Sequence, residues 1–410
     1  MYDNDSFEDK VKFLSSLGLA LHKYGLAAHN LERVISNVAD SLGLYTEVFS
    51  TPNILLLCSK CVKTTEASQV VRRVTPGNIN LELLEKIDHI GDMVIAGEVA
   101  LADVTLELEQ ILQEKPLYSR LLRSFAHSFI AFTISIFFGA SVLGIILSSS
   151  GGFIVGVICA YLTKIFKISR FLEFIVAFII SFLSHSLFHF IPHFNTNLVN
   201  ISSIIFLVPG VSLTIALAEL ANENLVSGTA RFMGAMMNLF KLVFGLVIGT
   251  YAAEFLLGLS PTYTSVTYSY PYWIQGLALI VITAAYTILM NVKKANIKWI
   301  FTAACFGFFS YRLILLYSQY PFLSTFFAAF VVSLLGSFYA RFIKKPAITV
   351  LLPGITLLVP GSMGLKSLSL VLAEDTLLGM NTLIKVFFTG IAIVAGLLLG
   401  NIILPPKRNL

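Results

Sequence analysis

The sequence predicts an α-helical integral membrane protein: ten transmembrane helices arranged as a 5+5 inverted repeat, preceded by a small α+β cytoplasmic N-terminal domain. Three observations predict it. Of 410 residues, 56% are apolar and only 12% are charged, about half the charged share of soluble domains. The charge is also unevenly placed: residues 1–123 hold 12 Lys/Arg against 17 Asp/Glu, whereas residues 124–410 hold 16 against 6. Six acids spread over 287 residues cannot cover a water-exposed surface. Finally, a motif from the middle of the chain recurs near its end at a constant spacing of 151 residues. The predicted division is a cytoplasmic domain over 1–118, a first five-helix unit over 119–258 and a second over 259–410.

The N-terminal region reads as ααβββα. Residues 7–24 and 28–43 are predicted helices, the second with Leu31, Val34, Ile35, Val38, Ala39 and Leu42 at helical spacing. Strands are predicted at Thr46–Phe49, Ile54–Cys58 and Gln69–Val74, a turn at Pro76-Gly77-Asn78, and a largely helical stretch over Ile79–Gln113. The first twenty residues are acidic and amphipathic and lack a basic leader, so no signal peptide is expected. Cys58 and Cys61 form a C-x-x-C with no two further ligands at zinc spacing, so neither metal nor cofactor is expected. No phosphate loop and no H-E-x-x-H is present, which argues against an ATPase or a zinc hydrolase. The basic residues form no continuous face, so nucleic acid is not an expected partner.

A spanning helix needs about 20 mostly apolar residues. Residues 124–163 hold no charge and are predicted to split into two spans at Ser148–Gly152. Residues 171–218 carry only Glu173 and split at Pro192–Asn200, and a fifth span runs from about Thr229 to Leu257. An aromatic loop, Ser260–Tyr272, precedes five more apolar segments at about 273–291, 298–317, 321–340, 347–371 and 379–403. With both termini inside, the inner loops contain Arg120/Arg123, Lys164/Lys167/Arg170, Arg231, Lys293/Lys294/Lys298, Arg341/Lys344/Lys345 and Lys407/Arg408, and the outer loops contain no Lys or Arg. Every loop then follows the positive-inside rule. This places a multi-pass protein in the cell inner membrane, in contact with lipid, with N and C termini cytoplasmic; assembly into homo-oligomers is left open.

The repeat pairs Leu207/Leu358, Val208/Val359, Pro209/Pro360, Gly210/Gly361, Leu217/Leu368, Glu223/Glu374, Gly228/Gly379, Gly245/Gly396 and Gly249/Gly400. Because each unit has an odd number of spans, the second must enter the bilayer upside down, the architecture of many secondary transporters.

Pro209-Gly210 falls in span four and Pro360-Gly361 in span nine, with Pro353-Gly354 just ahead of the latter. Proline removes a backbone donor and glycine tolerates unwound backbone, and freed backbone groups in hydrocarbon must line a cavity or be rebonded. The paired breaks are therefore the expected substrate site; an ordinary proline kink is the competing reading. Half-helices starting at Gly210 and Gly361 would present positive ends to a carboxylate, with Ser212 and Thr214 following one break and Ser362 and Lys366 the other. Charged residues within the membrane are functional candidates: Arg312 in span seven, Lys241 in span five with Asn238 one turn before it, Lys385 in span ten, and Glu173, Glu219 and Glu254 near span ends. Glu219 is a candidate holder of an ammonium group or of a coupling proton; snorkelling to the interface or a structural pair is the competing reading for each of these charged residues. His185, His189 and His193 recur every four residues; a metal set, a proton sensor and a polar headgroup layer are the readings they allow.

With these motifs in place, the chain resembles the threonine/serine exporter family over nearly its full length. The resemblance rests on Gly25 with Glu32-Arg33-Val34, Leu42-Gly43, Thr51-Pro52 and Arg72-Arg73-Val74 before Pro76-Gly77. In span four it rests on Pro209-Gly210, Leu213-Thr214, Glu219-Leu220, Leu225, Ser227-Gly228 and Arg231, and in span nine on Pro353-Gly354 with Leu358-Val359-Pro360-Gly361. Glu219 and Asn224 stand where such sequences often carry Asp. The resemblance implies proton-driven export of threonine or serine without ATP, by a non-enzymatic secondary carrier. Dicarboxylate (succinate-like) export is the near alternative, and a passive channel or sensor the more distant one.

Overall fold

The computed structural model describes residues 2, 5–75, 77, 79–162, 170–191, 193–257, 268–356, 358, 361–372 and 376–405. Expectations that fell on Pro76, Asn78, Lys164, Lys167, Pro192, residues 260–267, Val359, Pro360, Glu374, Lys407 and Arg408 lie outside the described residues.

The N-terminal domain follows the predicted order through its three strands, but the stretch expected as one helical segment is two helices, the first ended by Gly97 at φ +70°. Helices α1 (Phe7–Lys23) and α2 (Ala28–Ser41) precede strands β1 (Leu44–Thr51), β2 (Ile54–Cys61) and β3 (Ala67–Arg73), and α3 (Leu81–Ala96) and α4 (Leu101–Gln113) close the domain. The strands form an antiparallel sheet in the order β1-β2-β3, with Glu47 opposite Cys58 and Leu56 opposite Val71. Alternation along β2 turns Leu55, Leu57 and Ser59 inward, because successive side chains point to opposite faces. Leu55 reaches Gly18 of α1, where an added Cβ would stand 2.6 Å from its Cδ2. Phe13, Leu14, Leu17, Leu31, Ile35 and Ile87 fill the space beneath the sheet.

The rest of the chain is helical. Its elements are α5 (Arg120–Phe137), α6 (Val142–Val157, continued by a π turn over Ile158–Leu162), α7 (Leu172–Phe190), α8 (Thr196–Ile204, continued by a 3₁₀ turn over Ile205–Leu207), α9 (Gly210–Ala221) and α10 (Leu225–Leu257). After these come α11 (Tyr272–Leu289), α12 (Ile297–Ser318), α13 (Pro321–Phe342), α14 (Ile348–Thr356), α15 (Gly361–Leu372) and α16 (Thr376–Ile403). Among the described residues, seven helical spans are long and apolar enough to cross a membrane, and eight if the bent α8–α9 pair counts as one. Together with the N-terminal sheet this makes a mostly helical membrane protein.

Three expectations need correction. Ser148–Gly152 is not a break: all five residues lie inside α6, and the reversal falls at Phe138–Ser141, where Gly139 takes φ +71°. The serines are accommodated because Ser150 Oγ bonds back to the Ile146 carbonyl at 3.0 Å, and Ser128 Oγ crosses from α5 to the Ser149 carbonyl at 2.8 Å. Gly152 lets α6 approach the backbone of α5, an added Cβ standing 2.7 Å from the His127 carbonyl oxygen. Small and hydroxyl residues here form a helix–helix contact. Second, Pro353-Gly354 does not interrupt its helix, since α14 runs through Pro353 to Thr356; Gly354 gives close packing instead, with Val332 Cγ1 2.9 Å from an added Cβ. Third, α8 begins at Thr196, within the expected Pro192–Asn200 loop, because the Asn195 side chain accepts the Leu198 N–H at 3.1 Å and caps it.

One packing arrangement occurs twice. Helix α10 lies on α7 through Gly245 and Gly249, whose added Cβ atoms would stand 2.9 Å from Ala177 Cβ and 2.9 Å from Ser181 Cβ; Ser181 Oγ donates to the Leu246 carbonyl at 2.7 Å. Helix α16 lies on α13 through Gly396 and Gly400, which meet Ala329 and Ser333, and Ser333 Oγ donates to the Leu397 carbonyl at 2.9 Å. On α10 and α16 the partners are 151 residues apart; on α7 and α13 they are 152 apart.

Candidate functional site: the helix break and its surroundings

The first Pro-Gly pair bends the chain. The 3₁₀ turn Ile205–Leu207 ends at Val208, α9 starts at Gly210, and the axes on either side differ by 55°. Proline accounts for the break, since it can neither donate a backbone hydrogen bond nor fit beside the preceding turn. Gly361, the residue 151 positions on, starts α15 and lies directly against this break: an added Cβ would stand 3.4 Å from Gly210 Cα and 3.1 Å from Val208 Cγ1. Two helix N-termini thus meet; at α9 the Gly210 N–H donates to the Val208 carbonyl at 2.7 Å and the Leu213 N–H to the Pro209 carbonyl at 3.0 Å.

The sequence-predicted residues divide around this point. Thr214 is buried and its hydroxyl bonds back to the Gly210 carbonyl at 3.2 Å, whereas Ser212 is half-buried in the first turn of α9. Pro209 is half-buried at the N-cap. Ser362 lies in the first turn of α15, its side chain outside the described residues. Lys366 is exposed on α15, and Lys385 is exposed on α16. Lys241 pairs with Glu173 of α7 at 3.5 Å and donates to Asn238 at 3.1 Å, so it joins α10 to α7. Arg312 bonds to Gln275 and lies over the Tyr272 and Phe308 rings at 5.5 and 5.6 Å, beside a cavity of about 510 Å³ lined by Phe306, Phe309, Leu313, Leu316 and Val331. His185 is buried with Nδ1 2.9 Å from the Ser181 carbonyl, whereas His189 and His193 are exposed. Among the described residues, no three His, Cys, Asp or Glu side chains are placed to hold a metal ion.

Glu219 has a different setting. It is wholly buried and accepts both Arg231 Nε and Nη2 at 3.0 Å, the Ser227 hydroxyl at 3.0 Å and the backbone N–H of Ala28 at 3.0 Å. Ala28 is the first residue of α2, whose N-cap, Ala27, offers no side-chain acceptor. The carboxylate therefore supplies from the membrane-spanning part the cap that α2 lacks, at the end of the helix dipole that favours an anion. Glu32, a turn further along α2, accepts Asn224 Nδ2 at 3.2 Å and the Ser50 N–H at 2.8 Å; burial pushes its carboxyl above the usual range, against those two bonds. His22 and His29 lie within the field of the same pair, and burial, ahead of the charges around it, lowers the pKa of each.

The segments that follow α11 hold the N-terminal domain in a parallel way. The N–H groups of Leu81 and Glu82, at the start of α3, donate to the Met290 and Asn291 carbonyls at 3.0 Å each, just past the end of α11. Orphan donors of one helix end meet orphan acceptors of another. Behind them Glu85 accepts Lys345 at 2.9 Å, Lys293 at 3.3 Å and Asn296 Nδ2 at 2.7 Å. Burial alone would raise the Glu85 pKa; the Lys345 bond, the Lys293 charge and the Asn296 bond together hold it below the usual range.

Sequence reasoning missed Arg231 and Glu85 as partners. The signal for the first was an uncapped helix start at Ala27-Ala28, which demands an acceptor from elsewhere.

Comparison with known proteins agrees with the resemblance. A family profile described as "Putative threonine/serine exporter" matches residues 12–252, and a second, "Threonine/Serine exporter, ThrE", matches residues 275–403. An uncharacterized Schizosaccharomyces pombe protein is 23% identical over 85% of this chain and 43% of its own length. A protein named Pheromone-regulated membrane protein 10 from Eremothecium gossypii is 24% identical over 87% of this chain and 48% of its own length, and one of the same name from Saccharomyces cerevisiae is 22% identical over 83% and 45%. The chain spans less than half the length of these relatives. No solved structure matches. Since the first profile alone covers more than half of the sequence, the chain belongs to the threonine/serine exporter family.

Proposed function

We propose that this chain is a secondary carrier exporting threonine or serine across the inner membrane, built as a 5+5 inverted repeat of ten spans with the N-terminal domain and both termini on the cytoplasmic side. The contact between Gly210 and its counterpart Gly361, in a member of an exporter family, carries the reading. Ten spans result when α5 and the pairs α8–α9 and α14–α15 are added to the seven long helices, dividing the chain at 118/119 and 258/259. The twofold recurrence of the glycine contacts on α7 and α13 supports the repeat. An axis passing between Gly210 and Gly361 relates two helix N-termini, so that a carboxylate bound there meets similar donors whichever side is open. Ser212 and Thr214, with the backbone at Pro209, Gly210, Pro360, Gly361 and Ser362, make up the substrate site; a proton supplies the driving force.

Counterflow tests the reading. Proteoliposomes loaded with unlabelled threonine should accumulate labelled threonine against its gradient, faster with an imposed pH difference. Equal uptake with and without the internal pool is the behaviour of a pore and overturns it. Counterflow with succinate but not with threonine moves the substrate to the dicarboxylates.

A further inference from the structure

Among the described residues, three buried or half-buried acids of the helical part and its contacts are matched by cations. Glu219 has Arg231, Glu173 has Lys241, and Glu85 has Lys293 and Lys345. Arg123 departs from that pattern. It lies in the first turn of α5, half-buried, its Nε removed from solvent and without a hydrogen-bond partner, and no carboxylate among the described residues pairs with it. One turn deeper on the same helix face is His127, 7% exposed, with Nδ1 also buried and unpartnered. The imidazole stands edge-on to Phe206, ring centroids 4.7 Å apart and planes at 85°. Phe206 belongs to the 3₁₀ turn that leads into the Pro209-Gly210 break, and its other neighbour is Tyr286 of the second unit, at 6.1 Å. One turn before Phe206, Ser202 is fully buried with an unpartnered hydroxyl.

A guanidinium Nε withdrawn from water without a partner is expensive, as is a buried imidazole nitrogen without one. We infer that Arg123 and His127 form an anion subsite that receives the carboxylate of the transported amino acid on the N-terminal-domain side and passes it toward the break at Gly210. Arg123 supplies the charge and the forked donor geometry that a carboxylate matches. His127 supplies a second donor about 6 Å further along the helix. Phe206, between His127 and the break, is where passage from one station to the next has to occur. The inference rests on the carrier reading but assigns residues that reading does not use.

The test is counterflow in phosphatidylcholine vesicles, with KM measured at the face bearing the N-terminal domain, for wild type, Arg123→Gln, Arg123→Lys and His127→Gln. Threonine is compared with threoninol, which lacks the carboxylate. Arg123→Gln should raise the threonine KM roughly 10- to 100-fold, the worth of a lost charge-assisted hydrogen bond, and remove most of the preference over threoninol. Arg123→Lys should recover part of both, and His127→Gln should show the smaller loss. An unchanged KM and an unchanged threonine/threoninol ratio in Arg123→Gln overturn the subsite while leaving the carrier intact. A second readout is thermal stabilisation of detergent-purified protein by threonine, succinate, threoninol or phosphatidylglycerol. If wild type transports no threonine but is stabilised by carboxylates in an Arg123-dependent way, the subsite stands and the threonine reading falls. Stabilisation by phosphatidylglycerol alone assigns Arg123 to lipid and overturns the subsite, as does the absence of any Arg123-dependent response.

Discussion

Consider removing one member of the Glu219–Arg231 pair. Glu219 is fully buried and the Arg231 side chain 17% exposed, and they share two hydrogen bonds of 3.0 Å. Replacing Arg231 by Leu leaves a carboxylate out of reach of water, held only by the Ala28 N–H and the Ser227 hydroxyl. Stranding a buried charge costs about 3–5 kcal/mol. Replacing Glu219 by Gln is milder, about 2–3 kcal/mol, because the amide oxygen can still accept from Ala28 and the guanidinium can turn toward solvent. Replacing both by Leu removes the stranded charges together, so the double variant should lose much less than the sum, a loss set largely by the uncapped start of α2, about 1 kcal/mol. Reversible unfolding in mixed detergent micelles, followed by circular dichroism for wild type, Glu219→Gln, Arg231→Leu, Glu219→Leu and the double-Leu variant, gives each change. Strict additivity of the two Leu changes, or a loss below about 1 kcal/mol in Arg231→Leu, would refute the view that this pair is a desolvated, mutually dependent unit.

Other expectations are shorter to state. Gly249→Leu and Gly400→Leu should each force α7 from α10 or α13 from α16, destabilising by about 1–3 kcal/mol or more, and monodispersity on size exclusion reads the damage; two harmless substitutions would contradict the close helix approach. The Glu85 carboxyl titrates below 4.5 when folded, so its contribution is complete above that value and is lost as pH falls through the lower folded one. Docking of the N-terminal domain, measured by resistance to protease, should therefore weaken at acid pH in wild type and lose that component in Glu85→Gln. His22, its pKa lowered by burial, also contributes stability that is complete above about 6.5 and declines as pH falls toward the folded value; His22→Gln should flatten that limb of a thermal-stability profile.

Much of this architecture was legible in the sequence. The elements of the N-terminal domain are placed by helical and alternating periodicity, and the long apolar runs give the spanning helices, because both patterns reflect local geometry. Ser148–Gly152 was misread because loop composition and close helix packing use the same small residues; only the facing helix, with His127 and Ala131 at Gly152, separates the two. Pro353 was misread as a break for a related reason: proline weakens a helix, but neighbours decide whether it ends. Depth in the membrane made the cations functional candidates, yet spacing along one helix carries no information about which partner lies across from it. Lys241 finds Glu173, and Arg312 finds Gln275 and two rings.

The position of those partners bears on how the proposed carrier would hold its substrate. Desolvating a charge is so unfavourable that a membrane-spanning chain keeps few, and each must be compensated where it stands. Here the compensated ones register one segment against another: Glu219 fixes the N-terminal domain to α9, Glu85 fixes it to the segments around Lys293 and Lys345, and Glu173 fixes α7 to α10. A side chain bound in such a pair is not free to neutralise a passing carboxylate without breaking the junction it maintains. In the carrier proposed above, recognition at the break falls to groups outside such pairs, namely the positive N-terminal ends of α9 and α15 together with Arg123 and His127, whose Nε and Nδ1 are buried without a hydrogen-bond partner. If the proposed repeats rock against each other, they cannot part on the N-terminal-domain side while α2 is capped by Glu219 and α3 by Met290 and Asn291. Opening on that side requires one of those caps to separate. The cap held by neutral backbone carbonyls is the one whose release strands no charge, provided that Glu85 keeps Lys345 or Lys293 through the motion.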